Sequence, residues 1–122
     1  MERASLRILV TGGTFDKDYH ELEGLLYFRE THVPEMLRLG RCELSVAVEP
    51  LMFIDSLEMK DEHRQRILAA CRGAPEQRIV ITHGTDTMEL SARTVGAAGC
   101  DPATSAALTR MGFSLSPTAR RT

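Results

Sequence analysis

The sequence has no tryptophan and few aromatic residues of any kind, with two tyrosines and four phenylalanines among 122 residues. It has no apolar run near the roughly 20 residues that a membrane-spanning helix requires, and no apolar signal-peptide core near its amino terminus. Fifteen basic and seventeen acidic residues give a formal net charge of −2, without the positive excess that a nucleic-acid partner requires. These absences favour a soluble cytoplasmic domain that binds neither membranes nor nucleic acid.

Cysteine is also scarce. Cys42, Cys71 and Cys100 are the three cysteines of the chain, and none of them forms a CxxC pair. Neither these cysteines nor the four histidines follow the ligand spacing of a zinc site. We therefore predict idle thiols in a reducing compartment, with no metal site and no cofactor.

Short apolar runs alternate with helix-like segments along the chain. The patterns predict strands at 6–10, 44–48 (or 44–53) and 79–81, a long loop at 15–31, and helices that begin at 33 and span about 60–71 and 86–98. Asp86 and Glu89 have the spacing of a capping box at the start of the last helix. Strands that alternate with helices indicate a parallel sheet covered on both faces, which is an α/β fold with three layers, α/β/α.

Two strand ends of the sequence match each other. Residues 7–14 and 78–85 agree at five of eight positions, and each segment runs from an apolar strand through glycine to threonine. In an open parallel sheet, ligands bind beyond the carboxyl ends of the strands. We therefore expect Thr14 and Thr85 to lie at the same sheet edge, with Asp86 beside them. This arrangement suits nucleophilic attack on an acyl group, with backbone N–H groups of the glycine turns holding the oxyanion.

Each of these features also has a simpler interpretation. A Gly-Gly-Thr turn after a strand is more often a tight turn or a phosphate-binding loop, so a nucleotide- or phosphate-binding module is an alternative, although the sequence lacks the lysine of a P-loop. Asp86 could serve simply as a helix cap, and Thr85 could serve simply to hydrogen-bond its own turn. His83 is more easily explained as a hydrogen-bonded histidine at a strand end than as a ligand.

The two matching segments resemble the signature motifs of a known enzyme family. Residues 11–17 (TGGTFDK) and 82–88 (THGTDTM) are similar, in this order, to the two motifs of bacterial-type L-asparaginases. The resemblance covers roughly residues 5–98. It implies the α/β amino-terminal domain of that family and the hydrolysis of L-asparagine to L-aspartate and ammonia. The reaction would proceed through an acyl-threonine intermediate, without a cofactor.

The resemblance also implies roles for individual residues. In that family the second threonine of the first motif, here Thr14, is the nucleophile. The threonine and aspartate of the second motif form a second catalytic set that also holds the substrate. A serine after the second strand binds the substrate carboxylate, and a tyrosine on the loop after the first motif closes over it, with Tyr27 at the fitting distance and Tyr19 as the second candidate. The implied catalytic residues are Thr14, Thr85, Asp86 and Tyr27. The implied substrate-binding residues are Ser56, Gly13, Gly84, Thr85 and Asp86.

The last part of the chain departs from the family pattern. The family continues with another strand and a catalytic lysine, whereas no lysine follows Lys60 here, and arginine cannot replace it as a base. We divide the chain into an asparaginase-like domain at 1–98 and a divergent tail at 99–122, with a helix from Asp101 to about Met111 and no strand.

We interpret the tail as a truncated or frame-shifted end, and a genuine short variant is the alternative. An incomplete sheet leaves an edge without a partner, so we expect a homo-oligomer or poor solubility. An inactive fragment that only binds asparagine or aspartate is the alternative to an active enzyme.

Overall fold

A computed structural model of the protein describes residues 6–76, 78–98, 105–108 and 114–115; at Thr14 and in the last two segments it describes the backbone alone. The strands are β1 (Leu6–Val10), β2 (Lys17–His20), β3 (Leu25–Phe28), β4 (Val46–Pro50), β5 (Ile79–Thr82), β6 (Ser105–Leu108) and β7 (Ser114–Leu115). The α-helices are α1 (Val33–Leu39), α2 (Asp61–Gly73) and α3 (Met88–Ala97). Within the described residues, no helix is long and apolar enough to cross a bilayer.

The main sheet has the strand order β4-β1-β5-β6-β7. Strand β1 pairs in parallel with β4 on one side and with β5 on the other, and β5 pairs in parallel with β6. Strand β7 is antiparallel to β6. The prediction of a mainly parallel sheet is therefore confirmed.

Helices cover both faces of this sheet, because successive side chains of a strand point to opposite sides. Leu9 belongs to a core cluster that includes Ile67 of α2 and Val95 of α3. Its neighbours Ile8 and Val10 belong to a second cluster, which includes Val33 of α1. The three-layer arrangement follows from this alternation, and it places α2 and α3 on one face and α1 on the other.

The predicted loop at 15–31 is wrong, because most of it forms a β-hairpin. Strands β2 and β3 pair antiparallel from Lys17↔Phe28 to His20↔Leu25. The turn closes with a 2.7 Å hydrogen bond from the Gly24 N–H to the His20 carbonyl, and Gly24 has a φ of +66°. The sequence has no two-residue Asn-Gly or Asp-Gly turn here, which is the strongest local hairpin signal.

The predicted helix in the tail is also wrong. Residues 105–108 form β6, which lies beside β5 in the register Ile79↔Ser105 to Thr82↔Leu108. The rest of the predicted span, 101–104 and 109–111, lies outside the described residues. An alanine-rich segment favours a helix by local propensity, but pairing with a neighbouring strand overrides that weak preference. The prediction that the tail holds no strand is corrected accordingly.

Arg7 forms half-buried ion pairs with two glutamates at the amino-terminal end of the sheet. The Arg7 Nε lies 2.6 Å from Glu76 Oε1, and the Arg7 Nη1 lies 2.8 Å from Glu49 Oε1. The hydrogen bond from Arg7 lowers the pKa of Glu76, and burial raises it. The hydrogen bond has the larger effect, so the pKa lies below its ordinary value of 4.5. The ionised pair therefore stabilises the fold at pH values above 4.5, and this contribution is lost as the pH falls through the folded-state pKa.

We predict that Glu76→Gln makes the unfolding free energy less dependent on pH below about 4.5. Chemical denaturation between pH 3 and pH 7 measures this, with the wild type losing more stability than the variant over the acidic range. Parallel pH profiles for the two proteins would contradict the role assigned to this pair.

Candidate active site

The carboxyl ends of β1 and β5 are joined by hydrogen bonds between two threonines. The Thr11 N–H lies 3.3 Å from both the carbonyl oxygen and the Oγ1 of Thr82, and the Thr11 hydroxyl donates to the same carbonyl. Both threonines are fully buried. The Thr11 carbonyl in turn accepts a 3.1 Å hydrogen bond from the Ile54 N–H. Three segments of the chain thus meet at one edge of the sheet.

The turn after β1 depends on two glycines with positive φ. Gly12 and Gly13 have φ values of +125° and +114°, which other residues rarely adopt. A Cβ on Gly12 would lie 2.5 Å from the Ile54 carbonyl oxygen, so only glycine fits against this backbone. The Gly13 carbonyl accepts a 2.9 Å hydrogen bond from the Asp16 N–H, which closes the short 3-10 helix Thr14–Asp16. Thr14 is therefore placed at the start of this helix, although its side chain lies outside what the structure describes.

The loop after β5 packs directly against Ser56. A Cβ on Gly84 would lie 2.8 Å from Ser56 Oγ, so the absence of a side chain allows the two loops to approach. Ser56 is only 2% exposed. Its hydroxyl accepts a 3.0 Å hydrogen bond from the Asp86 N–H and donates a 3.3 Å hydrogen bond to Asp86 Oδ2. The Thr87 hydroxyl donates to the Ser56 carbonyl at 2.7 Å. The structure thus brings Ser56, Gly84 and Asp86 together.

Thr85 and Asp86 are exposed at the rim of this loop. The prediction that Asp86 begins a capping box is wrong, because α3 begins at Met88 with Thr87 in the cap position and has no side-chain cap hydrogen bond. The Asp86 carboxylate is held by Ser56, a residue 30 positions earlier. The Asp86 carboxylate is exposed and oriented by the buried Ser56 hydroxyl, so it can contact a ligand. A carboxylate that capped the helix would instead accept hydrogen bonds from the helix N–H groups.

His83 connects the end of β5 to α3. Its Nδ1 donates a 2.7 Å hydrogen bond to the Gly84 carbonyl, which can only accept, so Nε2 is left to accept from the Ser91 hydroxyl at 2.7 Å. Burial, with a smaller contribution from the positive charge of Arg64, lowers the pKa of His83 below its ordinary value of 6.5. The interpretation of His83 as a hydrogen-bonded histidine is confirmed. Across the described residues, no group of three His, Cys, Asp or Glu side chains is arranged to hold a metal ion.

One face of the β2–β3 hairpin packs toward the segment that leads to Ser56. The Phe28 ring lies 5.8 Å from the Phe53 ring, and Lys17, which is paired with Phe28 across the hairpin, lies above the Phe28 ring. Tyr19 is two residues from Lys17, so strand alternation puts it on this same face. Its side chain is largely exposed.

Tyr27 lies on the other face of the hairpin. It is paired with Asp18, and directly opposed residues of an antiparallel pair share a face. Its ring makes an edge-to-face contact with His20 at 5.8 Å between centroids. The resemblance favours Tyr27 as the residue that closes over the substrate. Tyr27 is half-buried, whereas the exposed Tyr19 has its hydroxyl beside the hairpin turn, 3.8 Å from the position of a Cβ on Gly24.

Comparison with known proteins gives the family. Residues 5–99 match the family described as asparaginase, N-terminal. The chain belongs to the asparaginase family. No curated protein matches the sequence. The matched span includes both strand-end loops and the Ser56 segment, so the site described above belongs to the asparaginase part of the chain.

Two solved structures have folds similar to this asparaginase-family chain. The thermostable L-asparaginase from Thermococcus kodakarensis is 27% identical with a TM-score of 0.60, over 71% of this chain and 27% of that one. A probable cytoplasmic L-asparaginase from Campylobacter jejuni is 28% identical with a TM-score of 0.56, over 74% of this chain and 29% of that one. The chain thus spans less than a third of the length of either protein.

Two acidic residues of the site were not singled out from the sequence. Asp16 is fully buried and accepts 2.7 Å hydrogen bonds from the Thr31 hydroxyl and the His32 N–H, which fixes the base of the hairpin. Asp55 forms an ion pair with Lys17. The first signature motif contains Asp16 and Lys17, and membership of that motif was the sequence signal that could have identified them. No local pattern connects them with partners 15 to 38 residues away.

Proposed function

We propose that this chain binds L-asparagine and hydrolyses its side-chain amide to L-aspartate and ammonia. The observation that carries the proposal is the contact between the two strand-end loops and Ser56. Thr11 bonds to Thr82 at the strand ends, and Ser56 holds Asp86 beyond them. These loops contain both signature motifs of a family that the chain belongs to. Family membership and this convergence support amide hydrolysis at the shared edge.

The proposed chemistry assigns the nucleophile to Thr14. Its hydroxyl oxygen attacks the amide carbon, and the glycine-turn N–H groups stabilise the oxyanion. The C–N bond then breaks, and ammonia leaves with the hydroxyl proton. Water then cleaves the resulting ester, which releases aspartate and restores the Thr14 hydroxyl. Thr85 belongs to the second catalytic set, and the exposed Asp86 carboxylate suits the ammonium group of an amino-acid substrate.

Ser56 is the proposed ligand of the substrate carboxylate. A serine hydroxyl has one proton to donate, and that proton lies toward Asp86 Oδ2. To bind the substrate, the hydroxyl must turn this proton to the substrate carboxylate, while its oxygen can still accept from the Asp86 N–H. Ser56 would then place the substrate carboxylate and Asp86 side by side, with Gly13 and Gly84 forming the floor of the site.

A binding protein without turnover is the second candidate function. No lysine follows Lys60 in the sequence, so the lysine of the family pattern has no counterpart in the second half of the chain. Lys17 does not replace it, because its ammonium group is paired with Asp55. Such a protein would bind aspartate but release no ammonia from asparagine.

Ammonia release from L-asparagine by the purified chain, measured alongside L-aspartate binding, tests the two candidates. Release together with binding supports the hydrolase, and binding alone supports the second candidate. Stabilisation by inorganic phosphate but not by aspartate in a thermal-shift experiment would replace both candidates with a phosphate-binding module.

We expect the two hairpin tyrosines to differ in their effect on ammonia release. If the Tyr27 hydroxyl assists the reaction, as the resemblance implies, Tyr27→Phe lowers ammonia release by about 10²- to 10⁴-fold and Tyr19→Phe changes it little. The opposite ranking would support Tyr19 instead. Each phenylalanine variant keeps the ring and removes only the hydroxyl, so steady-state kinetics of the pair isolates the hydroxyl contribution.

We also propose a cytoplasmic location and self-association. Among the residues that the structure describes, strand β4 is an edge of the sheet, and edge strands and exposed leucines promote association. Leu22, Leu39 and Leu44 are 93%, 67% and 57% exposed. A second copy that covers these side chains would remove apolar area from water.

A further inference from the structure

An ion pair connects the hairpin to the loop that carries Ser56. Lys17, the first residue of β2, has its Nζ 2.7 Å from Asp55 Oδ1. The Lys17 side chain is 14% exposed, and its ammonium group lies 5.1 Å from the centre of the Phe28 ring. Partial burial makes this cation less screened by salt than an ordinary surface lysine, and the contact with the ring face restricts its movement.

The ion pair is the first step of a continuous series of contacts. Asp55 immediately precedes Ser56 in the chain, and the Ser56 hydroxyl bonds both the N–H and the carboxylate of Asp86. Through these contacts, the position of the hairpin is coupled to the position of the exposed Asp86 carboxylate. Movement of the hairpin away from the sheet would break the ion pair and remove one of the contacts that hold the Ser56 loop, leaving the Ile54–Thr11 and Thr87–Ser56 hydrogen bonds.

We propose that Lys17 is a positioning residue whose ion pair with Asp55 holds the hairpin against the Ser56 loop and thereby fixes the Ser56–Asp86 pair for an amino-acid ligand. The coupling to ligand binding rests on the proposed function. The coupling between hairpin and loop does not, because it follows from the contacts alone. Without the ion pair, the hairpin opens more often and the ligand meets a less ordered site.

The fold is expected to survive the loss of this ion pair. The hairpin base is separately anchored by the hydrogen bonds of buried Asp16 to Thr31 and His32. The Phe28–Phe53 contact also remains when Lys17 is changed. Lys17 therefore controls how closely the hairpin sits on the loop rather than whether it forms.

The test uses Lys17→Met, Lys17→Arg, Asp55→Asn and the double variant Lys17→Met/Asp55→Asn of the full chain. Methionine keeps an unbranched side chain without charge, and arginine keeps the charge. Arg38→Met is the matched control, because Arg38 pairs with Glu35 on the exposed surface of α1 and contacts neither the hairpin nor the loop in that pair. The readouts are amide hydrogen exchange at residues 25–28 and the Kd of L-aspartate by calorimetry.

We expect Lys17→Met to speed exchange at residues 25–28 and to raise the aspartate Kd, each by about three- to tenfold, the range of a moderately strong ion pair. Lys17→Arg should restore most of both values. Lys17→Met should add little in the Asp55→Asn background, since the partner is already lost, and Arg38→Met should change neither readout.

Unchanged exchange in Lys17→Met, or equal effects of Arg38→Met, would overturn the proposal. So would faster exchange with an unchanged Kd in a chain that binds aspartate, because the hairpin would then be uncoupled from the site. If the wild type binds no aspartate, the proposed function fails. The exchange data then still decide whether the ion pair holds the hairpin to the loop, with non-additive Lys17 and Asp55 effects supporting it and additive effects rejecting it.

Discussion

Thr14→Ala is expected to reduce ammonia release from L-asparagine by a factor on the order of 10⁴ or more, because removing a nucleophile eliminates the covalent route. Thr14 directly follows the Gly12-Gly13 turn and opens the 3-10 helix at the carboxyl end of β1. The Thr14 backbone thus lies at the sheet edge that the second motif shares. Initial-rate measurements with the purified variant give the factor.

Two controls separate loss of the nucleophile from loss of the fold. Thr14→Ser retains a hydroxyl and should keep measurable turnover. Thr14→Ala should still bind L-aspartate and melt near the wild-type temperature, since it removes only a hydroxyl and a methyl group. Turnover by the alanine variant at the wild-type rate would exclude Thr14 as the nucleophile.

Gly12→Ala is expected to lower the free energy of unfolding by about 2–5 kcal/mol, the sum of a strained backbone and an overpacked contact. Gly12 has a φ of +125°, and an added Cβ would lie 2.5 Å from the Ile54 carbonyl oxygen and 2.9 Å from the Ile54 nitrogen. Both neighbours are backbone atoms of a segment that is itself hydrogen-bonded to Thr11, so neither can move aside without breaking that bond. Urea denaturation monitored by circular dichroism measures the change.

Gly96→Ala is the matched control for this prediction. Gly96 lies within α3, and a Cβ there would meet no atom within 4 Å. Alanine in a helix interior is favoured over glycine by roughly 0.5–1 kcal/mol, so this variant should be slightly more stable than the wild type. Equal destabilisation by the two substitutions would show that the close approach at Gly12 is not what constrains the turn.

The strand ends could be predicted from the sequence because their signals are local. A short β-branched run followed by glycine predicts a buried strand and a tight turn, and both β1 and β5 lie where this pattern puts them. Helix α2 spans Asp61–Gly73, close to the predicted 60–71. The general rule for ligand positions in parallel sheets then predicts a ligand site at the edge where Thr85 and Asp86 lie.

The contacts that build the site could not be predicted in this way, because they join distant parts of the chain. Asp86 has the local signature of a helix cap, yet its carboxylate bonds Ser56, 30 residues earlier. The hairpin was missed because its strands are short and its turn lacks a strong signal, so its geometry depends on Asp16 and Phe53. The tail segment 105–108 was predicted as helix for the same reason, since only β5 makes it a strand.

Titration of the labelled chain with L-aspartate, followed by amide chemical shifts in NMR spectra, tests most directly whether the two strand-end loops form one site. If the two loops form one site, amides of residues 12–14 and 84–86 shift together and yield a single Kd. Asp86→Asn should weaken the response of both loops in parallel. Shifts confined to one loop, or two loops that respond with different Kd values, would contradict the shared site.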